Sequence, residues 1–262
     1  MPPIGLIGGS GIYEMAGLEM REERTVSTPF GEPSSDYRIG SLDGRDIIFL
    51  PRHGSPHAIP PHRVNYRANI WGFRSLGVER IITVNAVGGI NRGMPPGSIV
   101  ILDQIIDMTA GARPSTFYEE GRVVHVDFTD PYCPEMRDAI LGVSRESGIP
   151  VAERGTYICV NGPRLETAQE IRFFSRIGAD VVGMTGMPEA VLARELEICM
   201  AGIAVVTNYA AGISASKLTT TEVIETMEDS LSRVRILLRE AVRAVAGTRG
   251  CPCRDALKDA IL

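Results

Sequence analysis

Residues 183–195, Gly-Met-Thr-Gly-Met-Pro-Glu-Ala-Val-Leu-Ala-Arg-Glu, set the hydroxyl of Thr185 beside glycines just ahead of a helix start. Pro188 suits the first helical position, and Val191, Leu192, Leu196 and Cys199 follow at helical spacing. Unpaired backbone N–H groups at such a terminus, pointing back toward Thr185, make a site for an anion such as phosphate. Taken alone, the same pattern describes a capped helix with flexible glycines. Three further segments place anion-binding groups at the ends of apolar runs: Ser10 on Gly-Gly-Ser-Gly (8–11), Arg52 with His53, and Asn85 with Ala86 ahead of Gly88 and Gly89. Singly, each reads as a turn former or a solvated charge. Together they offer a guanidinium fork, hydroxyl donors and backbone amides, the groups that hold and orient an orthophosphate dianion.

The elements that must position these groups are legible as short apolar runs ending in glycine-rich or polar turns. Residues 4–7, 47–50, 81–84 and 201–206 each read as a buried strand whose end carries polar groups, and such strand ends form the binding crevice of open α/β sheets. Helical spacing fills the gaps: Tyr66, Ile70 and Phe73; Met136, Ile140 and Val143; and Val223, Met227, Leu231, Val234, Leu237 and Leu238. A capping box, Thr219-x-x-Glu222, starts the last helix, and Gly247 and Gly250 mark its end. No internal repeat or linker divides the chain. The expectation is an α/β fold, a central mixed sheet flanked by helices, in one domain over residues 1–262 with a C-terminal Cys-Pro-Cys tail at 247–262.

Composition bounds the function. The 262 residues are 44% hydrophobic and 23% charged, with a net charge of -5, which argues against a nucleic-acid partner while leaving room for a local anion pocket. The N-terminus lacks a basic and apolar leader and no apolar run approaches a membrane span, so a cytoplasmic protein without a membrane partner is expected. Gly9-x-Gly11 reaches Glu14 where a dinucleotide fingerprint needs glycine, and no P-loop pattern occurs. Of the 5 cysteines, Cys133, Cys159 and Cys199 read as buried thiols. Cys251-Pro252-Cys253 lacks the second ligand pair of a structural zinc, so no metal is expected. A local Cys251–Cys253 disulfide is expected if the protein comes from a hot environment, with Cys133–Cys199 as a second pairing.

Gly-Gly-Ser-Gly (8–11), Arg-His-Gly (52–54), Val-Asn-Tyr-Arg-Ala-Asn-Ile-Trp (64–71), Asn-Gly-Pro-Arg-Leu-Glu-Thr (161–167), Gly-Met-Thr-Gly-Met-Pro-Glu (183–189) and Thr-Asn-Tyr-Ala-Ala-Gly (207–212) resemble, in order, the trimeric purine nucleoside phosphorylases. The resemblance runs from about residue 4 to about residue 246, includes His-Val-Asp-Phe-Thr-Asp-Pro-Tyr (125–132), and is nearest the methylthioadenosine and methylthioinosine branch. It implies phosphate at Ser10, Arg52, His53, Asn85, Ala86 and Thr185. It implies nucleoside contacts from Met184, Leu165, Asn208, Tyr209 and Ala210, and His125 reaching the sugar's 5′ end from a neighbouring subunit. A homotrimer, or a dimer of trimers, follows from it. His57 either assists with phosphate or is structural. Orthophosphate is the co-substrate, and no cofactor is needed.

In the implied reaction phosphate attacks C1′ as the purine N9 departs, and Asn208 donates to O6 and accepts from N7–H. The resemblance also bears on the base. Adenine-directed relatives carry aspartates where Asn208 and Ala210 stand, and Glu166 falls where 6-oxopurine enzymes place a carboxylate that accepts from N1–H. A buried Glu166 would repel the bare N1 lone pair of adenine, although alone it could equally reflect favourable placement near a helix start. Phosphorolysis of inosine, guanosine or 5′-methylthioinosine is therefore expected. The alternatives are a 6-aminopurine methylthioadenosine phosphorylase and a non-catalytic nucleoside-binding protein. Thr220, where 5′-hydroxyl enzymes have histidine and methylthio enzymes a small apolar residue, either contacts the 5′ group or helps to cap its helix.

Overall fold

The structure, a computed structural model, describes residues 1–9, 16–214 and 220–262, and for residues 220–225, 227 and 229 the backbone alone. Ser10 and the Thr219 capping position therefore lie outside the described residues, as does the side chain of Thr220.

Among the described residues ten strands form one mixed sheet: β1 (Ile4–Gly8), β2 (Leu18–Arg24), β3 (Tyr37–Leu42), β4 (Arg45–Pro51), β5 (Arg80–Gly89), β6 (Ile99–Ile101), β7 (Gln104–Met108), β8 (Thr156–Val160), β9 (Val181–Gly183) and β10 (Cys199–Tyr209). Its order is β2-β3-β4-β1-β5-β9-β8-β7, with β10 joining β5 and β6. The pairs β1–β4, β1–β5 and β5–β10 are parallel, so the C-terminal ends of β1, β4, β5 and β10 emerge on one side. All four runs expected from sequence are strands, and all four extend beyond their apolar segments. Ladder hydrogen bonds reach past the residues that burial alone marks.

Among the described residues five α-helices cover the sheet: α1 (Tyr66–Ser75), α2 (Pro134–Glu146), α3 (Ala168–Arg176), α4 (Gly186–Glu195) and α5 (Thr220–Ala244). The central strands β1, β5 and β10 are buried along most of their length because both faces are covered. Along β10, Cys199, Ala201, Ile203 and Val205 join a core with Met136 and Ile140 of α2 and Val234, Leu237 and Leu238 of α5. The alternate residues Met200, Ala204 and Val206 pack in a second core with Tyr66, Ile70 and Phe73 of α1 and Ala190 of α4. Side chains two residues apart share a face, so one strand serves both layers. No described helix is long and apolar enough to cross a membrane.

Two sequence expectations are corrected. Cys199 is not the last turn of a helix: α4 stops at Glu195, Glu197 turns at φ 57°, and Cys199 opens β10. The five cysteines are free, and neither Cys251–Cys253 nor Cys133–Cys199 is bonded. Instead Cys133, Cys199, Cys251 and Cys253 gather in one buried group, Cys199 Sγ lying 3.3 Å from Cys251 Sγ. That is well beyond the ~2.05 Å of a disulfide.

The α1–β3 contact gives a test of packing. Tyr37 is fully buried and its hydroxyl donates to Asn69 O at 2.7 Å, while a Cβ on Gly72 would collide with the Tyr37 hydroxyl. Alanine gains about 1 kcal/mol of helix propensity but forces an overpacking cost of about 1–3 kcal/mol and loosens the buried hydrogen bond. Gly72→Ala is expected to lower stability by about 2 kcal/mol in urea unfolding. A variant as stable as the parent would mean that Tyr37 moves aside freely.

Candidate active site

The four strand ends and the β9–α4 turn meet where the phosphate groups were expected, but their bonding differs from an open cradle. Arg52 follows β4, and its backbone N–H donates to Gly8 O at 3.2 Å, which ties it to β1. Its guanidinium faces Glu189 in the first turn of α4: Nε donates to Oε1 at 2.6 Å and Nη2 to Oε2 at 3.0 Å, while Nη1 donates to Val84 O at 3.1 Å. Both side chains are almost wholly buried, at 3% and 1% exposure. Burial works against the guanidinium's charge, but the charge and hydrogen bonds of Glu189 outweigh it and raise its pKa. The fork expected to meet phosphate is thus turned onto a carboxylate, which itself suits a helix N-terminus.

The start of α4 is also spoken for. Thr185 N and Gly186 N point at the Tyr157 hydroxyl, at 3.1 and 3.4 Å, and Met187 N donates to Cys159 Sγ at 3.3 Å. Met187 is extended at φ -114° and ψ 135°, so the regular helix begins at Pro188, as its sequence position suggests. The amides ahead of it serve the protein rather than an open anion hole. What remains turned inward is the Thr185 hydroxyl, buried and donating to Asn85 Oδ1 at 3.0 Å. Asn85 Nδ2 donates in turn to Thr83 Oγ1 at 3.2 Å. Ala86 next to it is exposed between buried neighbours on β5.

His53 is half-buried, and its Nδ1 lies 2.8 Å from Ile59 O. A carbonyl can only accept, so Nδ1 carries the proton and Nε2 keeps its lone pair. Burial, reinforced by the charge of Arg52, lowers the pKa from 6.5 to about 4, and the ring is neutral at neutral pH. His57 is exposed and stacks on it with centroids 4.3 Å apart.

At the end of β10 the register with β5 shifts between Val206 and Asn208. Such a bulge re-aims the following side chains. Asn208 Oδ1 accepts from Thr207 Oγ1 at 2.8 Å, and Nδ2 donates to Tyr209 O at 2.9 Å, which among the described residues leaves one amide proton and one oxygen lone pair. Asn208 and Tyr209 are half-buried, and Ala210 is buried. The segment carrying Glu166 approaches this strand end, because a Cβ on Gly212 would lie 2.6 Å from Ala168 Cβ. Glu166 is half-buried rather than buried, and partial burial raises its carboxyl pKa against a hydrogen bond from its own backbone. Its neighbour Thr167 caps α3 through a capping box with Glu170. Leu165 and His125 are exposed. His125 N donates to Ala260 O at 2.8 Å, so the C-terminal tail holds its backbone.

Three residues that sequence reasoning missed organise the site. Glu189 and Tyr157 are described above. Arg113, 7% exposed, donates to Met184 O and Met187 O at 2.8 Å each, to Asn161 Oδ1 at 3.0 Å and Asn161 O at 2.8 Å, and packs over Tyr66. It fixes the half-buried Met184 and the 161–167 segment against one another. No local pattern marks Arg113, whereas Glu189 stood in the Met-Pro-Glu motif and could have been matched to a basic residue at a strand end.

A model of the phosphorylase superfamily matches residues 3–243, and the chain belongs to that family. It is 57% identical over 257 residues to a probable S-methyl-5′-thioinosine phosphorylase of Thermodesulfovibrio yellowstonii, covering 98% of this chain and 96% of the relative. It is 52% identical over 267 residues to the 6-oxopurine nucleoside phosphorylase of Pyrococcus furiosus, with 99% of each covered. Among solved structures, a methylthioadenosine phosphorylase from an antarctic soil metagenomic library superposes with a TM-score of 0.92 at 36% identity, over 100% of this chain and 92% of that one.

Two outcomes follow from the geometry. Glu189→Ala strands a buried guanidinium and is expected to cost about 3–5 kcal/mol, while Arg52→Met with Glu189→Leu recovers most of the loss by filling the volume without charge. Urea unfolding decides it: equal stability of the single and double variants would contradict a controlling ion pair. For His53, the unfolded state takes up a proton below pH 6.5 that the folded state refuses until about 4. Its contribution is absent above pH 6.5 and destabilises progressively between 6.5 and 4. The stability difference between parent and His53→Asn should therefore fall across that window as pH falls. A flat difference would contradict the assignment.

Proposed function

We propose that the chain cleaves the N-glycosidic bond of 6-oxopurine nucleosides with orthophosphate, releasing free base and ribose 1-phosphate or its 5-methylthio analogue. The carrying observation is the Asn208 amide at the β10 bulge, half-buried with a free proton and a free lone pair. Those two groups match O6 and N7–H of a departing 6-oxopurine, while aspartate there would lack the donor. Glu166, on the segment that packs against the same strand end, accepts from N1–H. The names of the two relatives, thioinosine and 6-oxopurine phosphorylases at 57% and 52% identity, favour this over the adenine-directed reading, which is supported by a methylthioadenosine phosphorylase fold match and by relatives of that name at 46–47% identity. A non-catalytic binding role has no observation in its favour.

Phosphate binds, on this reading, among Ser10, His53, Asn85, the Ala86 backbone, Thr185 and the two N–H groups of Arg52 left by its three bonds. Neutral His53 accepts through Nε2, so phosphate is held as the hydrogen-bearing dianion, its P–OH donating to that nitrogen. Attack on C1′ proceeds as Asn208 receives the negative charge arriving on the purine, and the dianion faces the developing oxocarbenium. Met184, Tyr209, Ala210 and Leu165 line the nucleoside site. His125, exposed on one chain, completes a neighbour's site in a trimer or a dimer of trimers of cytoplasmic location. Thr220 contacts the 5′ substituent, and both hydroxyl and methylthio groups are accepted.

Inosine and guanosine should be cleaved in phosphate at rates far above adenosine, and equal adenosine turnover would overturn the base assignment. Asn208→Asp should lose about 2–4 kcal/mol of discrimination for 6-oxopurines, read as the ratio of kcat/KM for inosine and adenosine. An unchanged ratio removes Asn208 from recognition. Comparing inosine with 5′-methylthioinosine in the parent and Thr220→Val tests the 5′ site: a strong parental preference refutes tolerance, and an unmoved preference refutes Thr220.

A further inference from the structure

Cys133, Cys199, Cys251 and Cys253 come from three separate parts of the fold and converge on one point. Cys133 caps α2 just before Pro134, Cys199 opens β10, and Cys251 and Cys253 flank the start of a short 3-10 turn, Pro252–Asp255, in the tail. They are exposed by 1%, 0%, 6% and 1% respectively. All four sulfurs lie within 4.8 Å of one another, with no carboxylate or imidazole among them. A tetrahedral ion with bonds of about 2.3 Å to sulfur needs its ligands about 3.8 Å apart. The second ligand pair that the Cys-x-Cys sequence lacks is supplied by the fold.

We propose that these four thiols form a structural zinc site. Four soft sulfur donors select zinc among the common divalent ions and, once all four are bound, leave no open position for chemistry. Binding releases four thiol protons to solvent as four Zn–S bonds form, with no change of oxidation state. The product carries two net negative charges. Asn208 stands nine residues along β10 from Cys199, roughly 30 Å away, so the ion takes no part in the reaction.

Its work is to hold the tail. Residues 247–262 are otherwise fastened by polar contacts: Gly250 N to Glu135 Oε2 at 2.8 Å, Arg249 Nη1 to Glu197 O at 2.6 Å, and Leu262 N to Val123 O at 3.0 Å. The same tail carries Ala260, which accepts from His125 N. Zinc would clamp the tail to α2 and β10 and, through it, fix the 123–125 segment.

The test uses the full chain, purified anaerobically, stripped with chelator and reductant, reloaded with zinc or cobalt alone and desalted. We expect one zinc per chain, intense tetrahedral thiolate-to-cobalt absorption, and a melting temperature that falls on stripping and returns on reloading. The Cys251→Ser, Cys253→Ser double variant should lose the metal and expose the 123–125 amides to faster hydrogen exchange. Alkylation of the unreduced protein, denatured in chelator, should label all five cysteines. Labelling of Cys159 alone would show two disulfides and overturn the proposal. Zinc absent from the reloaded parent would overturn it as well, as would cobalt bands of another geometry, and both readings hold even if the variant fails to fold.

Discussion

The buried ion pair of Arg52 and Glu189 is the constraint on which the strand ends and the turn before α4 depend. Removing two charges from water costs several kcal/mol each, and the cost is offset only when geometry is close and the remaining donors find partners. Here the carboxylate takes two N–H groups and Val84 O takes a third, so α4 has little freedom to slide along β4 and β5. That lock is what brings Thr185, 100 residues distant in sequence, within 3.0 Å of Asn85.

Two further devices complete what the pair begins. Tyr157 is fully buried, its hydroxyl receives the Thr185 and Gly186 amides, and burial raises its pKa well above the ordinary phenol range, so it stays protonated. Arg113 carries a charge but bonds chiefly carbonyl groups and the side-chain oxygens of Asn161 and Tyr66, and so joins segments 160–161 and 184–187 without a counter-charge. The bulge in β10 then turns Asn208 relative to the register that buries Ala204 and Val206. Preorganisation of this kind costs nothing at the moment of reaction, because the dipoles are already aimed.

The four central strands and the α1, α2 and α5 spacings were legible because they are buried on definite faces and burial writes a period into the sequence. The edge strand β2 was not: six of its seven residues are exposed, so no apolar run marks it. The phosphate-side residues were legible as types but not as partners. Arg52 was legible as an anion donor, but a sequence shows the guanidinium and not the carboxylate 137 residues away that takes two of its N–H groups. The four cysteines failed for the same reason. Cys-x-Cys is local, whereas Cys133 and Cys199 reach it only through the packing of α2 on β10.

A cradle whose one buried arginine is already neutralised has a consequence for how phosphate acts in the proposed reaction. A fully cationic pocket would bind the dianion strongly and quench its charge, stabilising ground and transition states alike and so adding little to turnover. With Glu189 holding one edge of Arg52 through two hydrogen bonds and His53 neutral, the donors facing phosphate are hydroxyls, amides and the residual guanidinium protons. They fix its position while leaving most of its negative charge to face C1′. That charge gains its largest interaction when the ribosyl ring turns cationic, so the electrostatic benefit falls on the transition state rather than on the bound substrate.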